Sequence, residues 1–133
     1  MGAWDAGSFD NDAACDWAVE FAKSKDLAPV FGIFARALDA EYIDGTSGCQ
    51  AIAACEVIAR LKGNIGTRNP FSQKVDDWVS AHPQQIPKDL VQTALEVLVK
   101  VRSSKSELSK LWCGGVAAEW QTAMDDLRQR VIA

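Results

Sequence analysis

The chain has 133 residues, of which 48% are hydrophobic and 24% charged, which is the composition of a globular protein of single-domain size. The formal net charge is −4, and residues 1–44 carry a balance of −6 against +2 for residues 45–133. This acidic character argues against sequence-independent binding to nucleic acid. No run of about 18 apolar residues is present, and Asp5, Asp10 and Asp12 stand where a signal peptide would be basic or apolar. We therefore expect a cytoplasmic protein without a membrane span.

The first predicted elements are an extended arm and two helices. Residues 1–9 contain two glycines and no helical period, which predicts the arm. Asp10, Asn11 and Asp12 are possible N-caps of the first helix, whose apolar stripe contains Trp17 and Phe21. The second helix is predicted from Asp26 and from Pro29 in its first turn. One apolar face of that helix is predicted to comprise Leu27, Val30, Phe31, Phe34, Ala37 and Leu38.

The third predicted helix, at about residues 47–62, is apolar around almost its whole circumference. Ser47 and Gln50 have the spacing of a capping box at its beginning, and Gly63 is placed to end it. Glu56 and Arg60 are an i,i+4 pair of opposite charge on this helix. A helix without a polar face belongs in the centre of a domain, so this one is predicted to be the hub.

The second half of the chain is predicted to be helical as well. A short helix around Trp78 stops before His82-Pro83, and a longer one begins at Pro87. Ser104 and Glu107 suggest a further capping box, and the last helix carries Trp120 with Asp126 and Arg130 paired on its outside. The sequence thus predicts an all-α, single compact domain, residues 1–133, of six or seven helices around the central one.

Large aromatic residues spread over the whole chain are the predicted structural anchors, because each needs an apolar surface to pack against. For the arm, Trp4 and Phe9 are expected to pack into the core, and the alternative is that they form an exposed docking surface. The complete set of anchors is Trp4, Phe9, Trp17, Trp78, Trp112 and Trp120.

No catalytic residue and no cofactor is predicted. The single histidine, His82, precedes Pro83 and is expected to lie near the C-terminal end of a helix. None of the four cysteines forms a C-x-x-C pair, and they are expected to be buried free thiols: Cys15, Cys49, Cys55 and Cys113. A metal site is a competing hypothesis, because carboxylate and amide oxygens suit calcium or magnesium, although capping of the first helix explains the same residues. The candidate ligands are Asp10, Asn11, Asp12 and Asp16.

The chain opens with Met1-Gly2-Ala3-Trp4 followed by Gly7-Ser8-Phe9-Asp10-Asn11-Asp12-Ala13 and Asp16-Trp17, and a second motif is Ser106-Glu107-Leu108-Ser109-Lys110-Leu111-Trp112 with Trp120 beyond it. These two motifs resemble those of a bacterial family, the domain of unknown function 4259. The sequence departs from the family pattern at Asp5, where glycine is usual. The resemblance implies a helical bacterial protein and no particular activity.

Two functional hypotheses follow from the sequence. The first is a non-catalytic module that binds an unknown protein. A basic partner is expected, for example a basic toxin bound by an immunity-type inhibitor, because an acidic face steers a protein to a cationic partner. The alternative is a metal-dependent hydrolase or metal-responsive switch that uses the N-terminal acidic cluster.

Overall fold

The secondary structure is described by a computed structural model for residues 7–111 and 117–133, and within these ranges it consists of helices. An isolated parallel bridge pairs Ile43 with Ser106. The prediction of an all-α domain is confirmed. The helices are α1 (Asp12–Phe21), α2 (Ala28–Asp39), α3 (Gly45–Leu61), α4 (Gln73–Ala81), α5 (Lys88–Val101), α6 (Glu107–Leu111) and α7 (Ala117–Ile132).

The central helix is α3, as predicted from its apolar circumference. Every residue from 51 to 60 is buried, and α3 packs against each of the other six helices. Its first turn differs from the prediction, because α3 begins at Gly45 and Asp44 is the N-cap. The Asp44 carboxylate accepts a hydrogen bond of 2.7 Å from the amide of Ser47. Ser47 therefore lies inside the helix, and the predicted capping box with Gln50 is wrong.

An aromatic row connects α1 to α4. Trp17 stacks on Phe21 with ring centroids 5.0 Å apart, and Phe21 contacts Trp78 at 4.5 Å. The Trp78 indole donates a hydrogen bond of 3.0 Å to the carbonyl of Ser24, which satisfies its one polar group. Trp120 is also buried, and so is Phe9 at the end of the arm, whereas Trp4 and Trp112 lie outside the described residues.

The N-terminus of α3 is held by the segment that leads into α6. Ile43 donates to the carbonyl of Lys105 at 2.8 Å and accepts from the amide of Glu107 at 2.9 Å. The Glu107 carboxylate accepts from the amide of Gly45 at 2.5 Å, so this side chain caps α3. The predicted capping box of Ser104 and Glu107 is therefore wrong, because the Glu107 carboxylate instead accepts a hydrogen bond from the first turn of α3.

Helices α2 and α5 lie side by side and run in the same direction. Phe31 and Pro87 line one groove near the beginning of both helices. Near their ends, the Lys100 ammonium donates to the carbonyls of Leu38 and Ala40. Lys100 thus neutralises the negative end of the α2 dipole and fixes α2 against α5.

Two residues of the predicted apolar face of α2 are not buried. Phe31 is 54% exposed and Leu38 is 36% exposed, whereas Val30, Phe34 and Ala37 are buried. The apolar arc of α2 is wider than the surface that α3 and α5 cover, so its edge faces outward beside α5. No helix of the described residues is long and apolar enough to cross a membrane.

Candidate functional site

The most polar part of the interior is a cluster of ions around Glu56. The Glu56 carboxylate accepts hydrogen bonds from both terminal nitrogens of Arg130, at 2.7 and 2.8 Å. It also accepts from Arg60 Nε at 3.3 Å and from the Ser8 hydroxyl at 2.7 Å. The side chains of Glu56 and Arg60 are 4% and 2% exposed. The arm, α3 and α7 therefore meet at one buried carboxylate.

The two arginines of this cluster are also held by groups around it. Arg60 Nη1 donates to the Asp76 carboxylate, and Arg60 Nη2 donates to the carbonyl of Thr67 at 2.7 Å. Arg130 Nε donates to Asp126 at 2.8 Å, which is the pair predicted on the outside of α7. The sequence placed this pair at the surface, but the Arg130 side chain is only 15% exposed because it reaches inward to Glu56.

The environment of Glu56 favours its charged form. Burial acts to raise the pKa of Glu56, but hydrogen bonds from Arg130, the charges of Arg130 and Arg60, and the Ser8 hydrogen bond outweigh it. The pKa of Glu56 is consequently lowered from its ordinary value. Four donated hydrogen bonds occupy its acceptor positions, so Glu56 is poorly suited to act as a general base.

A small cleft of about 120 Å³ opens over the ionic cluster, between the arm, α7 and the loop before α4. Arg60 and Arg130 lie in its lining, but both already donate to carboxylates of the protein. An anion would therefore have to compete with these internal partners. The cleft is best explained as the outer surface of an ionic cluster whose role is to hold the fold together.

Two of the four N-terminal metal candidates bind backbone amides, and the other two are exposed. The Asn11 side chain is the N-cap of α1 and accepts from the amide of Ala14 at 2.7 Å, and Asp10 accepts from the amide of Gly7 at 3.0 Å. Asp12 and Asp16 are exposed on α1. Within the described ranges, no three His, Cys, Asp or Glu side chains are grouped to hold a metal ion. The metal hypothesis stays a prediction.

His82 packs against α4, and the described thiols are buried or half-buried. The His82 ring stacks on Trp78 with centroids 4.1 Å apart, and its Nδ1 lies 2.8 Å from the Trp78 carbonyl oxygen. Burial and the charge of Glu107 raise the pKa of Cys49 to about 11. Burial also raises the pKa of the Cys55 and Cys15 thiols, so all three are protonated at neutral pH.

An apolar groove between α2 and α5 is a surface feature that the sequence did not reveal. Its volume is about 540 Å³, and Phe31 and Leu38 form its outer wall. Scattered exposed apolar residues are ordinary, but apolar side chains that converge on one groove are typical of an interaction site. The groove lining comprises Phe31, Phe34, Ala35, Leu38, Pro87, Asp89, Leu90 and Thr93.

The fold and these two sites define a small helical domain with a buried ionic centre and an exposed apolar groove. Residues 2–123 match the family described as a domain of unknown function (DUF4259), and the chain belongs to this family. No curated protein and no solved structure matches the chain.

The two motifs that carry the family resemblance have structural roles where they are described. In the first motif, Ser8 binds Glu56, Phe9 packs beneath Arg60 at 5.7 Å, and Asn11 caps α1. In the second motif, Glu107 caps α3, and Leu108 is buried against Gly48. The described residues of both motifs are therefore explained by the way they hold Ser8, Phe9 and α6 on the central helix.

Proposed function

We propose that this protein is a non-catalytic module of the bacterial cytoplasm that binds another protein, with the groove between α2 and α5 as its docking surface. The observation that carries the proposal is the exposure of Phe31, a 54% exposed aromatic side chain at the wall of an apolar groove. Large aromatic residues in desolvated pockets contribute most to the affinity of protein interfaces.

The polar groups of the protein favour binding over catalysis. Glu56 and its arginines are saturated by one another, and the described thiols are protonated. The concrete form that the charge distribution supports is an immunity-type inhibitor, since the acidic first third of the chain would attract a basic partner.

Site-specific photocrosslinking in a lysate of the source organism tests the proposal. A photoreactive phenylalanine at position 31 is compared with one at Val99, which is 65% exposed on the side of α5 away from the groove. We expect one major crosslinked species at position 31, and competition by excess wild-type protein but not by Leu38→Asp. If the partner is basic, the yield of the crosslinked species should fall at about 1 M salt, because the Debye length is then only about 3 Å. Equal products at both positions, or none at position 31, would rule out the groove as the docking surface.

The metal-dependent alternative has one supporting feature. Besides burial, the negative charges of Asp12, Asp16 and Asp10 raise the pKa of Cys15, so each of these carboxylates lies near that thiol. Calorimetric titration with calcium, magnesium, manganese and zinc is the direct test. This hypothesis predicts heat of binding for at least one metal and its loss in Asp12→Asn, whereas no heat with all four would end it.

A further inference from the structure

The shape of the groove restricts what can fill it. Both walls are side chains of helices whose backbone groups beyond the first turn are bonded within each helix, and the carbonyls of Leu38 and Ala40 accept from Lys100. An extended peptide would find no row of free backbone groups here, so it could not bind as an added strand. An occupant must satisfy its own backbone, which a helix does.

Carboxylates dominate the rim of the groove. Asp89 lines it, and Glu96 lies two turns later on the same face of α5, since seven residues rotate a helix by about 700°. Within the described part of the chain, neither of these carboxylates forms an ion pair.

The bases near the groove do not offset these acids. Arg36 is rotated about 140° from Phe31 around α2, and Lys88 about 100° from Asp89 around α5, so both point away from the groove. Lys100 lies on the groove face of α5, but its ammonium is bound to the carbonyls at the end of α2. The open rim is therefore acidic.

From these observations we infer that the occupant of the groove is a basic amphipathic helix of another protein. Its apolar side chains, at i, i+3, i+4 and i+7, pack between Phe31, Leu38 and Leu90, and its lysines or arginines pair with Asp89 and Glu96. The inference rests on the proposed function and adds the chemistry of the partner to it. A volume of about 540 Å³ accommodates several side chains, since one water takes roughly 30 Å³.

Selection from a displayed library of random peptides tests the inference without knowledge of the partner. The peptides are roughly 20 residues long, because shorter isolated helices are marginal in water. Binders to the wild-type protein are counter-selected on Phe31→Asp, and each is synthesised and measured by calorimetry and circular dichroism. We expect peptides with a helical apolar stripe and a positive net charge, which gain helicity on binding.

Variants of the groove then provide matched controls. Phe31→Asp should weaken the selected peptides by about tenfold or more, whereas Val99→Asp should leave their affinity unchanged. Asp89→Asn and Glu96→Gln should each weaken them by roughly 1.5–5-fold, with a smaller dependence on salt. Circular dichroism and thermal unfolding of every variant show whether its fold is intact.

The outcomes separate the inference from the proposed function. Peptides that compete at the groove but are extended, rich in proline or acidic would overturn the basic helix and leave the docking surface in place. If Asp89→Asn and Glu96→Gln leave the peptide affinities unchanged, the inference that the carboxylates of the rim bind a basic helix would be overturned. A selection that yields no binder sensitive to Phe31→Asp, together with no crosslink at position 31, would overturn both.

Discussion

Glu56 illustrates how a single buried charge can join distant parts of a chain. Its carboxylate binds Arg60 on its own helix, Arg130 on α7 and Ser8 in the arm. Removing one partner of a buried ion pair leaves the other charge uncompensated, which is costly. Because both guanidinium groups bind this carboxylate, the loss of its charge should be felt at both, and each would be left with one carboxylate partner, Asp76 or Asp126.

The first prediction is that Glu56→Gln lowers the free energy of unfolding by about 3–5 kcal/mol. Asp126→Asn is the control, because Asp126 binds the same arginine but is 62% exposed, and surface pairs contribute about 1 kcal/mol or less. Urea denaturation of the three proteins measures both effects. Equal losses of unfolding free energy for the two variants would show that the burial of Glu56 does not increase its contribution to stability.

The second prediction concerns pH. The pKa of Glu56 is lowered in the folded protein, so its contribution is complete above its unfolded value, about 4.3, and is lost as the pH falls through the folded value. Wild-type stability should therefore fall more steeply below about pH 4 than that of Glu56→Gln. Urea midpoints across this pH range measure the difference, and parallel curves would contradict the assignment.

At the level of single helices, the third prediction is that replacing two glycines by alanine changes the free energy of unfolding in opposite directions. A Cβ at Gly48 would lie 2.8 Å from Leu108 Cδ1, whereas a Cβ at exposed Gly32 has no atom within 4 Å. Gly32→Ala should raise the free energy of unfolding by about 0.5–1 kcal/mol through helix propensity, and Gly48→Ala should lower it by about 1–3 kcal/mol through overpacking. Leu108→Val should relieve part of the second loss. Additive effects of Gly48→Ala and Leu108→Val would show that the two residues are not coupled.

The helices could be predicted from the sequence, whereas parts of their ends and outer faces could not. Periodicity located the hub α3 because its apolar residues surround it. The capping by Glu107 was missed because that residue is 62 positions away from the amide of Gly45, and local spacing carries no signal of such a pairing. The buried part of the apolar face of α2 was predicted to be too wide. Apolar spacing shows only which residues lie on the same side of a helix, whereas the packing of neighbouring helices decides how much of that side is buried.

The candidate sites were the least predictable part. Glu56 and Arg60 were recognised as a pair, but the sequence gives no sign that Arg130 joins them from 74 residues away. Likewise, Phe31 and Leu38 look like ordinary core residues until α5 is placed beside them. Both sites depend on tertiary contacts between helices that are far apart in the chain.

At the level of the whole molecule, the rate at which each cysteine is chemically modified measures how often the core opens. Cys55 is completely enclosed and Cys15 is partly accessible, and burial raises the pKa of both. We predict that an alkylating reagent modifies Cys15 without unfolding and Cys55 only through global unfolding. Mass spectrometry of each cysteine after timed labelling measures the two rates. Rapid modification of Cys55 in stable protein would contradict a single cooperative core.

The ionic cluster has a consequence for how long the folded protein lasts. Its bonds join residues 48 and 74 positions apart, and Lys62 and Asn64 reach the carbonyls of Val131 and Arg130 across similar distances. Closing such long loops costs chain entropy, so we expect these bonds to form after the transition state of folding. Weakening them should then accelerate unfolding and leave the folding rate nearly unchanged. Stopped-flow kinetics of Glu56→Gln should show this, and the half-life of the native protein would be set by the contacts that join Ser8, α3 and α7.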